Sequence, residues 1–469
     1  MKYIIFIEPR PETPHFFSRF KLPRLGTILL ATILKKFGYK TKVFIEEIAP
    51  LDWSQIKKAD IVCISTLTAT AIRAYYLAKK IKNMNIPIVM GGPHVTFLPE
   101  EALNFADFVI KGEGEIAILE LLEALEGKRS FSHVKGLSWQ ENGKFYHNEV
   151  SPLINNLDSL PYPDFSLIYG WQKGIKGLVK KIIPIQTSRG CPYNCKFCSV
   201  TRMFGRKIRY RSVEHVIDEL KQYNDCHYHI FFYDDNFIAN PKKAESLLLA
   251  MKEEDFSFSW STQVRVDIAR YPKLLSLAKD THCDGFYIGF ESVNPKSLKE
   301  MNKRQSIKDI IKAISAINKC QFHIHGMFIF GLDKDTPTVI DNTVKFALKH
   351  KIGSVQFAIL TPLPGTPVYE EMCKNKRILS HNWSLYDGLH IVFSPKNFSP
   401  YALQKAVIKA HKTFYSLKNT FKRLLDRKFL SAQISLYALK LTYEWQRKNK
   451  EFLNWLKELD IKSMLIEEV

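Results

Sequence analysis

Three thiols stand close together near the middle of the chain, in the stretch TSRGCPYNCKFC at residues 187–198, as Cys191, Cys195 and Cys198. They follow an apolar, β-branched run at residues 181–185, which predicts a strand that ends in a loop. Thiolates are soft ligands that suit zinc, cuprous ions and iron–sulfur clusters. A closed structural zinc site usually has four ligands at paired spacings, whereas the next Cys along this chain is Cys226. Three thiolates on a four-iron cluster would leave one iron open to a substrate or cofactor.

Beyond the thiols, apolar strands alternate with helical patterns up to residue 375. This alternation predicts six βα units that share one parallel sheet. Polar residues stand at the ends of several predicted strands: Asp234 and Asp235 after the second, Arg265 on the third and Glu291 after the fourth. In barrels of parallel strands the chemistry takes place at the carboxyl ends of the strands, so these residues are candidates for the site.

The thiol spacing, Cys-x3-Cys-x-aromatic-Cys with Phe197 as the aromatic residue, resembles the signature of the radical S-adenosylmethionine (radical SAM) enzymes. The resemblance implies that Cys191, Cys195 and Cys198 hold a 4Fe–4S cluster. SAM would bind the open iron, and one electron would cleave it to methionine and a 5′-deoxyadenosyl radical. The resemblance also implies a partial (β/α)6 barrel. The alternative is a zinc knuckle or another structural thiol cluster.

The same resemblance implies roles for residues at the strand ends. Asp234 and Asp235 stand where the family binds the amino group of SAM, and Arg265 is the candidate for its carboxylate. Glu291 would accept hydrogen bonds from the ribose, and Gly326 would let the backbone approach the adenine. Two structural alternatives stay open: Asp234 caps the following turn, or Glu291 pairs with a Lys.

The first 150 residues predict a second parallel sheet. Five short apolar strands alternate with helical patterns, which is typical of a doubly wound sheet. Ligands of such sheets bind at the carboxyl ends of the strands. Glycine-rich turns stand at those ends, where missing side chains let a large ligand approach the backbone.

These turns resemble those of cobalamin-binding domains. That family has Asp-x-His-x-x-Gly after its first strand, then Ser-x-Leu, then Gly-Gly. Ser65 and Leu67 match the second motif and Gly91-Gly92 match the third, while Gly112 opens a Gly-Glu-Gly-Glu run found in cobalamin-dependent radical SAM enzymes. Residues 8–11 hold no His in place of the first motif, so the resemblance implies cobalamin held without that ligand. His94 is a candidate neighbour of the corrin, and the equal alternative is a loop His with an ordinary hydrogen bond. The alternative is a flavodoxin-like domain without a ligand.

The chain carries a net charge of +21, and residues 401–450 supply +10 of it, from 12 Lys and Arg against 2 Asp and Glu. The basic residues that stand near Phe421 and Phe429 are Lys418, Lys422, Arg423, Arg427 and Lys428. Several basic side chains together can hold a protein at an anionic membrane surface, so we expect an apolar, lipid-like substrate reached from there. RNA phosphates would attract the same charge, but no recognisable RNA-binding module follows the barrel. The bland alternative is a solvated helical bundle that caps the barrel.

Composition indicates the compartment. No apolar stretch approaches the ~20 residues that span a bilayer, and the apolar run at the N-terminus is too short for a signal peptide. Eight Cys, three of them clustered, suit a reducing compartment rather than a disulfide framework. The sequence therefore predicts a cytoplasmic protein, with peripheral contact to the inner face of the membrane as a further option.

We therefore predict an α/β chain with three domains and a linker. A doubly wound parallel-sheet cobalamin-binding domain occupies residues 1–150, a linker 151–180, a partial (β/α)6 radical SAM barrel 181–375, and a helical C-terminal region 376–469. The two sheets should face each other with their carboxyl ends inward and the substrate between them.

The resemblance implies methylation of an unactivated carbon, with the 5′-deoxyadenosyl radical removing hydrogen and methylcobalamin supplying the methyl group. We expect a small-molecule or lipid-like substrate and an electron donor such as flavodoxin or ferredoxin. Three alternatives remain: a cobalamin-dependent cyclase or rearrangement enzyme without methyl transfer, an RNA-modifying radical SAM enzyme, and a cobalamin or metal sensor without catalysis.

Overall fold

The computed structural model describes residues 2–12, 22–171 and 180–467. In the first sheet, apolar side chains point to both faces, so both faces must be covered. The strands of this sheet are β1 (Tyr3–Glu8), β2 (Lys40–Ile45), β3 (Ile61–Ser65), β4 (Ile88–Gly91), β5 (Phe108–Ile110), β6 (Leu137–Glu141) and β7 (Lys144–His147). The helices around it are α1 (Leu25–Lys36), α2 (Trp53–Ile56), α3 (Ala71–Lys82), α4 (Pro93–Phe97), α5 (Pro99–Leu103) and α6 (Ala117–Leu125).

The strands lie in the order β2-β1-β3-β4-β5-β6-β7, and the first five are parallel. On β1, Ile4 and Phe6 pack into one core, and Ile5 and Ile7 pack into the core on the opposite face. Burial on both faces is the property of a doubly wound sheet, so the prediction for this part is confirmed. After the fifth unit, β6 and β7 extend the same sheet in antiparallel fashion.

The second sheet has six strands, all parallel, and each pairs with its neighbour in chain order. Its strands are β8 (Lys181–Ile185), β11 (Tyr228–Phe232), β12 (Ser259–Val264), β13 (Cys283–Glu291), β14 (His323–Phe330) and β15 (Ser354–Ile359), while β9 (Ser188–Arg189) and β10 (Arg209–Tyr210) form a small separate pair. The helices are α7 (Val200–Phe204), α8 (Val213–Lys221), α9 (Pro241–Glu253), α10 (Pro272–Asp280), α11 (Pro295–Glu300), α12 (Ile307–Lys319), α13 (Pro337–Lys349) and α14 (Pro367–Lys374). This is the predicted partial (β/α)6 barrel. The side chains of Ser212, Asn240 and Ser306 cap the N-termini of α8, α9 and α12, respectively.

The C-terminal region forms α-helices only from Pro400 onward. Its helices are α15 (Pro400–Phe414), α16 (Leu417–Leu425), α17 (Phe429–Lys448) and α18 (Lys450–Glu467). Before this point, Trp383 and Tyr386 pack into a core of the first sheet, and the Trp383 indole N–H donates to Glu101 Oε1 at 2.8 Å. Within the described ranges, no helix is both long and apolar enough to cross a bilayer.

Strand β15 is the last strand of the barrel, and helix α15 covers its free edge. The Tyr415 hydroxyl accepts from the Val355 N–H at 2.8 Å and donates to the Val355 carbonyl at 2.6 Å. His411 Nε2 donates to the Phe357 carbonyl at 3.0 Å, and burial lowers the pKa of this His to about 4, so it is neutral. Side chains thus satisfy main-chain groups that a neighbouring strand would otherwise pair.

The two sheets face each other with their carboxyl ends inward, as predicted. The loop after β15 meets the loop after β4, where a Cβ added at Gly365 would lie 2.3 Å from the Phe97 ring. The domain boundaries at 150, 180 and 375 stay predictions. Part of the predicted linker, residues 172–179, lies outside the described residues.

Candidate functional site

The three thiols lie on one loop at the carboxyl end of β8, and we call residues 190–198 the Cys loop. It begins at Gly190, whose φ is +95° and where an added Cβ would lie 2.8 Å from the Lys207 carbonyl oxygen. The Cys191 N–H donates to the Gly205 carbonyl, and the Lys196 N–H donates to the Met301 carbonyl. Glycine is therefore required at the first turn, and the neighbouring helices α7 and α11 hold the loop by its backbone.

None of the three thiols forms a disulfide, and Cys195 is buried while the other two are half-buried. Burial raises the pKa of all three, to about 12 for Cys198. For Cys191 and Cys195, the guanidinium of Arg265 acts in the opposite direction. Thiols in such an environment become thiolates only when a cation replaces the proton.

Asp234 lies at the end of β11 and holds the segment that leads into the Cys loop. Its buried carboxylate accepts from the Thr187 N–H at 3.2 Å, the Thr187 hydroxyl at 3.0 Å and the Ser188 hydroxyl at 2.5 Å. Burial raises its pKa, and these hydrogen bonds oppose the rise. The structure thus gives Asp234 a positioning role; its predicted contact with SAM stays a prediction.

Asp235 follows Asp234 at the carboxyl end of the same strand. Its side chain is exposed to solvent, yet enough protein surrounds it that desolvation, together with the charge of Asp234, raises its pKa to about 7. Its negative charge also raises the pKa of Cys191 and Cys198, so it lies beside the Cys loop. Asp235 is therefore the member of the pair that a ligand at the thiols could reach.

Arg265 is buried beside the Cys loop. Its guanidinium carbon lies 3.7 Å from the ring centroid of Tyr193, and its Nη2 donates to the Lys303 carbonyl at 2.7 Å. The Tyr193 hydroxyl donates to Asp267 at 3.2 Å, so a stack of ring and guanidinium fixes the middle of the loop. A cation fixed here suits a carboxylate ligand, which is the role that the sequence predicts.

Glu291 ends β13 with a φ of +60°, a conformation that is uncommon for residues other than glycine. Its Oε1 lies 2.5 Å from the Lys303 ammonium, and both side chains are about one-tenth exposed or less. The Lys pairing left open by the sequence is therefore present. Backbone strain of this kind often marks functional sites, and the ribose contact of Glu291 stays a prediction.

Gly326 lies on β14 and faces the helices. An added Cβ would lie 3.0 Å from the Phe290 ring and 3.2 Å from the Phe328 ring, both fully buried. The structure therefore explains this glycine by the packing of two aromatic rings. Its predicted approach to the adenine stays a prediction.

The glycine turns of the first sheet lie at the carboxyl ends of β4 and β5, next to the Ser65–Leu67 segment at the end of β3. At Gly92 φ is +100°, and an added Cβ would lie 2.8 Å from the Thr66 carbonyl oxygen. At Gly91, the nearest neighbour of an added Cβ would be the Ile110 carbonyl oxygen, at 3.8 Å. Gly92 is thus required by the close approach of the Ser65–Leu67 segment, whereas Gly91 leaves space open beside it.

Gly112 has a φ of +77° and its N–H donates to the Thr96 hydroxyl at 3.1 Å. His94, by contrast, is buried with both ring nitrogens engaged. Nε2 lies 3.1 Å from the Tyr75 hydroxyl and 3.3 Å from Glu101, and Nδ1 lies 3.4 Å from the Thr68 hydroxyl. His94 therefore has a structural role within the first domain.

A buried cluster of two Arg and two Glu joins the two domains next to the Cys loop, and sequence reasoning missed it. Glu113, in the loop after β5, accepts from both Nη atoms of Arg209 at 2.8 Å. Arg189, two residues before Cys191, lies 3.2 Å from Glu113 and 2.7 Å from Glu115. Each of the four side chains is at most 8% exposed, and the charges balance. We call these residues the Arg–Glu cluster; it sets the distance between the Cys loop and the glycine turns.

The side chains present fit both groups that the sequence implies. Three cysteine sulfurs on one loop are the donor set of a cluster with an open iron, and the buried Tyr210 hydroxyl beside them has no hydrogen-bond partner among the described residues. At the first sheet, the Thr66 hydroxyl is buried and likewise unpartnered within the described ranges, next to the open space at Gly91. Polar groups of this kind usually mark a missing ligand or water.

A bulky side chain in place of Gly91 should weaken cobalamin binding and leave the fold intact. We expect Gly91→Leu to fold normally but to raise the Kd for hydroxocobalamin at least about tenfold, because its side chain enters the space where the missing Cβ now admits a ligand. Absorbance titration of the purified chain measures this.

The control is Gly92→Ala, which should lower thermal stability because the new Cβ would overlap the Thr66 backbone. Unchanged cobalamin affinity in a well-folded Gly91→Leu variant would contradict the assignment of this edge.

Comparison with known families agrees with both halves of the site. A model of the radical SAM superfamily matches residues 185–347, and one of the B12 binding domain matches residues 18–122. The chain is 36% identical to an uncharacterized methyltransferase of Pyrococcus horikoshii over 409 residues, which cover 84% of this chain and 88% of that protein. It is 30% identical to the bacteriochlorophyllide d C-8(2)-methyltransferase of Chlorobaculum tepidum, over 80% and 83% of the two chains. It is 25% identical to the hopanoid C-2 methylase of Rhodopseudomonas palustris, over 76% and 66%.

Two solved structures share the fold. The radical SAM methyltransferase TsrM from Kitasatospora setae, with cobalamin and a [4Fe-4S] cluster bound, superimposes with a TM-score of 0.65 at 15% identity, over 80% of this chain and 75% of that one. The cobalamin-dependent radical SAM enzyme OxsB gives a TM-score of 0.68 at 16% identity, over 97% and 75%. With the thiols at the carboxyl end of the barrel and the glycine turns opposite them, the chain belongs to the cobalamin-binding radical SAM enzymes.

Proposed function

We propose that this enzyme methylates an unactivated carbon of an apolar, lipid-like molecule. The observation that carries the proposal is the position of the Cys loop, which faces the glycine turns of the first sheet across an interface held by the Arg–Glu cluster. An unactivated C–H bond resists acid–base catalysis, so its hydrogen must be removed by a radical. The cofactors supply that chemistry, with SAM and a 4Fe–4S cluster as the radical source and cobalamin as the methyl carrier.

The residues of the chain orient these groups. Cys191, Cys195 and Cys198 would hold the cluster. Asp235 and Arg265 would bind the amino and carboxylate groups of SAM, respectively. Asp234 fixes the approach to the Cys loop through its hydrogen bonds to Thr187 and Ser188, whose distances are given above.

On the first domain, Ser65, Leu67, Gly91, Gly92 and Gly112 would line the cobalamin. Glu291 and Gly326 are proposed for the ribose and adenine of SAM. The proposed division of the chain places the cobalamin domain at 1–150, a linker at 151–180, the barrel at 181–375 and the helical region at 376–469.

The names of two relatives support an apolar, lipid-like substrate. One relative is named a bacteriochlorophyllide d methyltransferase and another a hopanoid C-2 methylase. A hydrophobic substrate of this kind stays in or near a membrane, which supports a peripheral location. A small donor such as flavodoxin or ferredoxin would supply the electron.

Methyl-labelled SAM tests the proposal. With an acceptable substrate and a reductant, we expect label in the product, together with both S-adenosylhomocysteine and 5′-deoxyadenosine. One SAM supplies the radical and another supplies the methyl group, so both co-products must form. Deoxyadenosine alone, with a product that gains no mass, would instead identify a cyclase or rearrangement enzyme.

A further inference from the structure

Helix α16 exposes apolar side chains to solvent and buries polar ones, which is the opposite of the usual arrangement in a surface helix. Leu417, Phe421 and Leu425 are 67%, 63% and 68% exposed, respectively. On the inner side, Thr420 and Arg423 are buried, and Arg423 Nη1 donates to the Phe414 carbonyl and to the Ser435 hydroxyl, both at 3.0 Å. A helix selected only for contact with water would place its apolar residues against the protein.

The apolar surface continues around the turn into α17. Phe429 and Leu430, the first two residues of α17, are 62% and 54% exposed. We call this surface the α16–α17 corner, which consists of Leu417, Phe421, Leu424, Leu425, Phe429 and Leu430. Contiguous exposed apolar surface of this kind marks a site of contact with a partner or a membrane.

Basic residues border the corner. Lys418, Lys422 and Arg427 are exposed, and Asp426 is the acidic residue of the turn. Arg423, which the sequence placed with this basic group, is corrected by the structure because its guanidinium lies inside the protein. Apolar side chains bordered by long basic ones are typical of helices that lie in the interface of an anionic bilayer.

The corner lies at the amino end of the barrel strands. Lys428 Nζ contacts the Lys351 carbonyl just before β15, and the Ser431 hydroxyl lies 3.1 Å from where a Cβ at Gly353 would stand. The Cys loop lies at the opposite, carboxyl end. Contact through the corner therefore leaves the interface between the two domains uncovered.

We propose that the α16–α17 corner docks the enzyme on an anionic lipid surface. The inference rests on the proposed function in that a membrane-held substrate gives docking its purpose. A two-fold dimer through the corner would bring the basic residues of both copies into one interface, and like charges would oppose it. Nucleic acid would match the lysines but not the exposed leucines, whose burial requires an apolar partner.

Vesicle flotation tests the proposal with the reconstituted full-length enzyme. We expect binding to vesicles that contain phosphatidylglycerol and at least tenfold weaker binding to vesicles of phosphatidylcholine alone. The double variant Phe421→Ser/Leu425→Ser should lose at least tenfold in binding, and Lys418→Gln/Lys422→Gln should lose most of the preference for anionic lipid. The matched control is Phe37→Ser, since Phe37 is also 67% exposed but lies on the first domain.

The Cys191→Ala variant should bind vesicles like the parent enzyme. A failure of membrane docking can therefore be distinguished from a failure of the radical chemistry. Equal binding to both vesicle types, or unchanged binding by the Phe421→Ser/Leu425→Ser variant, would overturn the proposal. So would a dimer that this variant converts to a monomer while neither form binds vesicles. Tight RNA binding that the Lys418→Gln/Lys422→Gln variant abolishes, without vesicle binding by the parent, would also overturn it.

Discussion

Replacement of Cys191, Cys195 or Cys198 with Ala is expected to abolish 5′-deoxyadenosine formation. The three thiols share one loop and are the three ligands available to a cluster, so loss of one leaves two iron sites without a thiolate. Anaerobic reconstitution of the parent chain should give about four irons per chain, and each variant should give far fewer. Iron content and chromatographic assay of deoxyadenosine under reductant measure the two effects.

The control for this experiment is Cys373→Ala. Cys373 is an exposed thiol on α14, outside the Cys loop, so its loss should leave iron content and deoxyadenosine formation unchanged. Deoxyadenosine formation that persists when all three loop thiols are replaced would refute the assignment of the cluster.

Loss of one member of the Arg–Glu cluster is expected to destabilise the chain strongly. In Arg209→Met, Glu113 keeps its buried charge but loses both hydrogen bonds from the guanidinium. Breaking a buried ion pair from one side costs about 3–5 kcal/mol, and here the two buried carboxylates of Glu113 and Glu115 would share the one guanidinium that remains, that of Arg189. Urea unfolding of the two proteins measures the difference. Since the cluster also sets the spacing of the domains, the yield of methylated product should fall as well.

An exposed pair provides the comparison. Lys273 lies 2.6 Å from Glu245, but its side chain is 66% exposed, so Lys273→Met should change the unfolding free energy by less than about 1 kcal/mol. If Arg209→Met were no more destabilising than Lys273→Met, the buried cluster would have no special role in stability.

The pH dependence of the Arg–Glu cluster follows from Glu113. Burial on its own raises the pKa of this carboxyl, but the hydrogen bonds from Arg209 and the charge of Arg189 outweigh it and hold the pKa below its ordinary value. The stabilisation is therefore complete above the unfolded pKa of about 4.3 and is lost as the pH falls through the lower folded value. The gap in stability between the parent and Glu113→Gln should be constant near neutral pH and shrink on acidification.

Most of the fold could be predicted from the sequence because its signals are local. Strand and helix periods, the caps at Ser212, Asn240 and Ser306, and the thiol spacing all lie within a few residues of one another. Ser306 and Asp309, for instance, form a capping box that is readable from their spacing of three residues. The addition of β6 and β7 to the first sheet was not predicted, because pairing between strands depends on contacts that no local pattern encodes.

The site was predicted only in part, because some of its contacts join residues that are far apart in the chain. Arg209 and Glu113 are far apart in the chain, and charged residues lie by default on the surface, so nothing in the sequence indicates that they meet in a buried pair. The position of Glu113 inside a recognised glycine-rich run was the one available signal. Likewise, the pattern of Asp234-Asp235 does not reveal which of the two carboxylates faces inward; the structure turns Asp234 toward Thr187 and Ser188.

The hydrogen bonds of Tyr415 and His411 to β15 have a consequence for shortened forms of this enzyme. A chain that ends before Pro400 would keep all six barrel strands and the Cys loop, yet it would present Val355 and Phe357 with free main-chain groups at an open sheet edge. Such an edge pairs readily with the same edge of another molecule, which leads to aggregation. The helix α15 thus acts as a built-in solubility element, and any minimal catalytic version of the protein has to retain it.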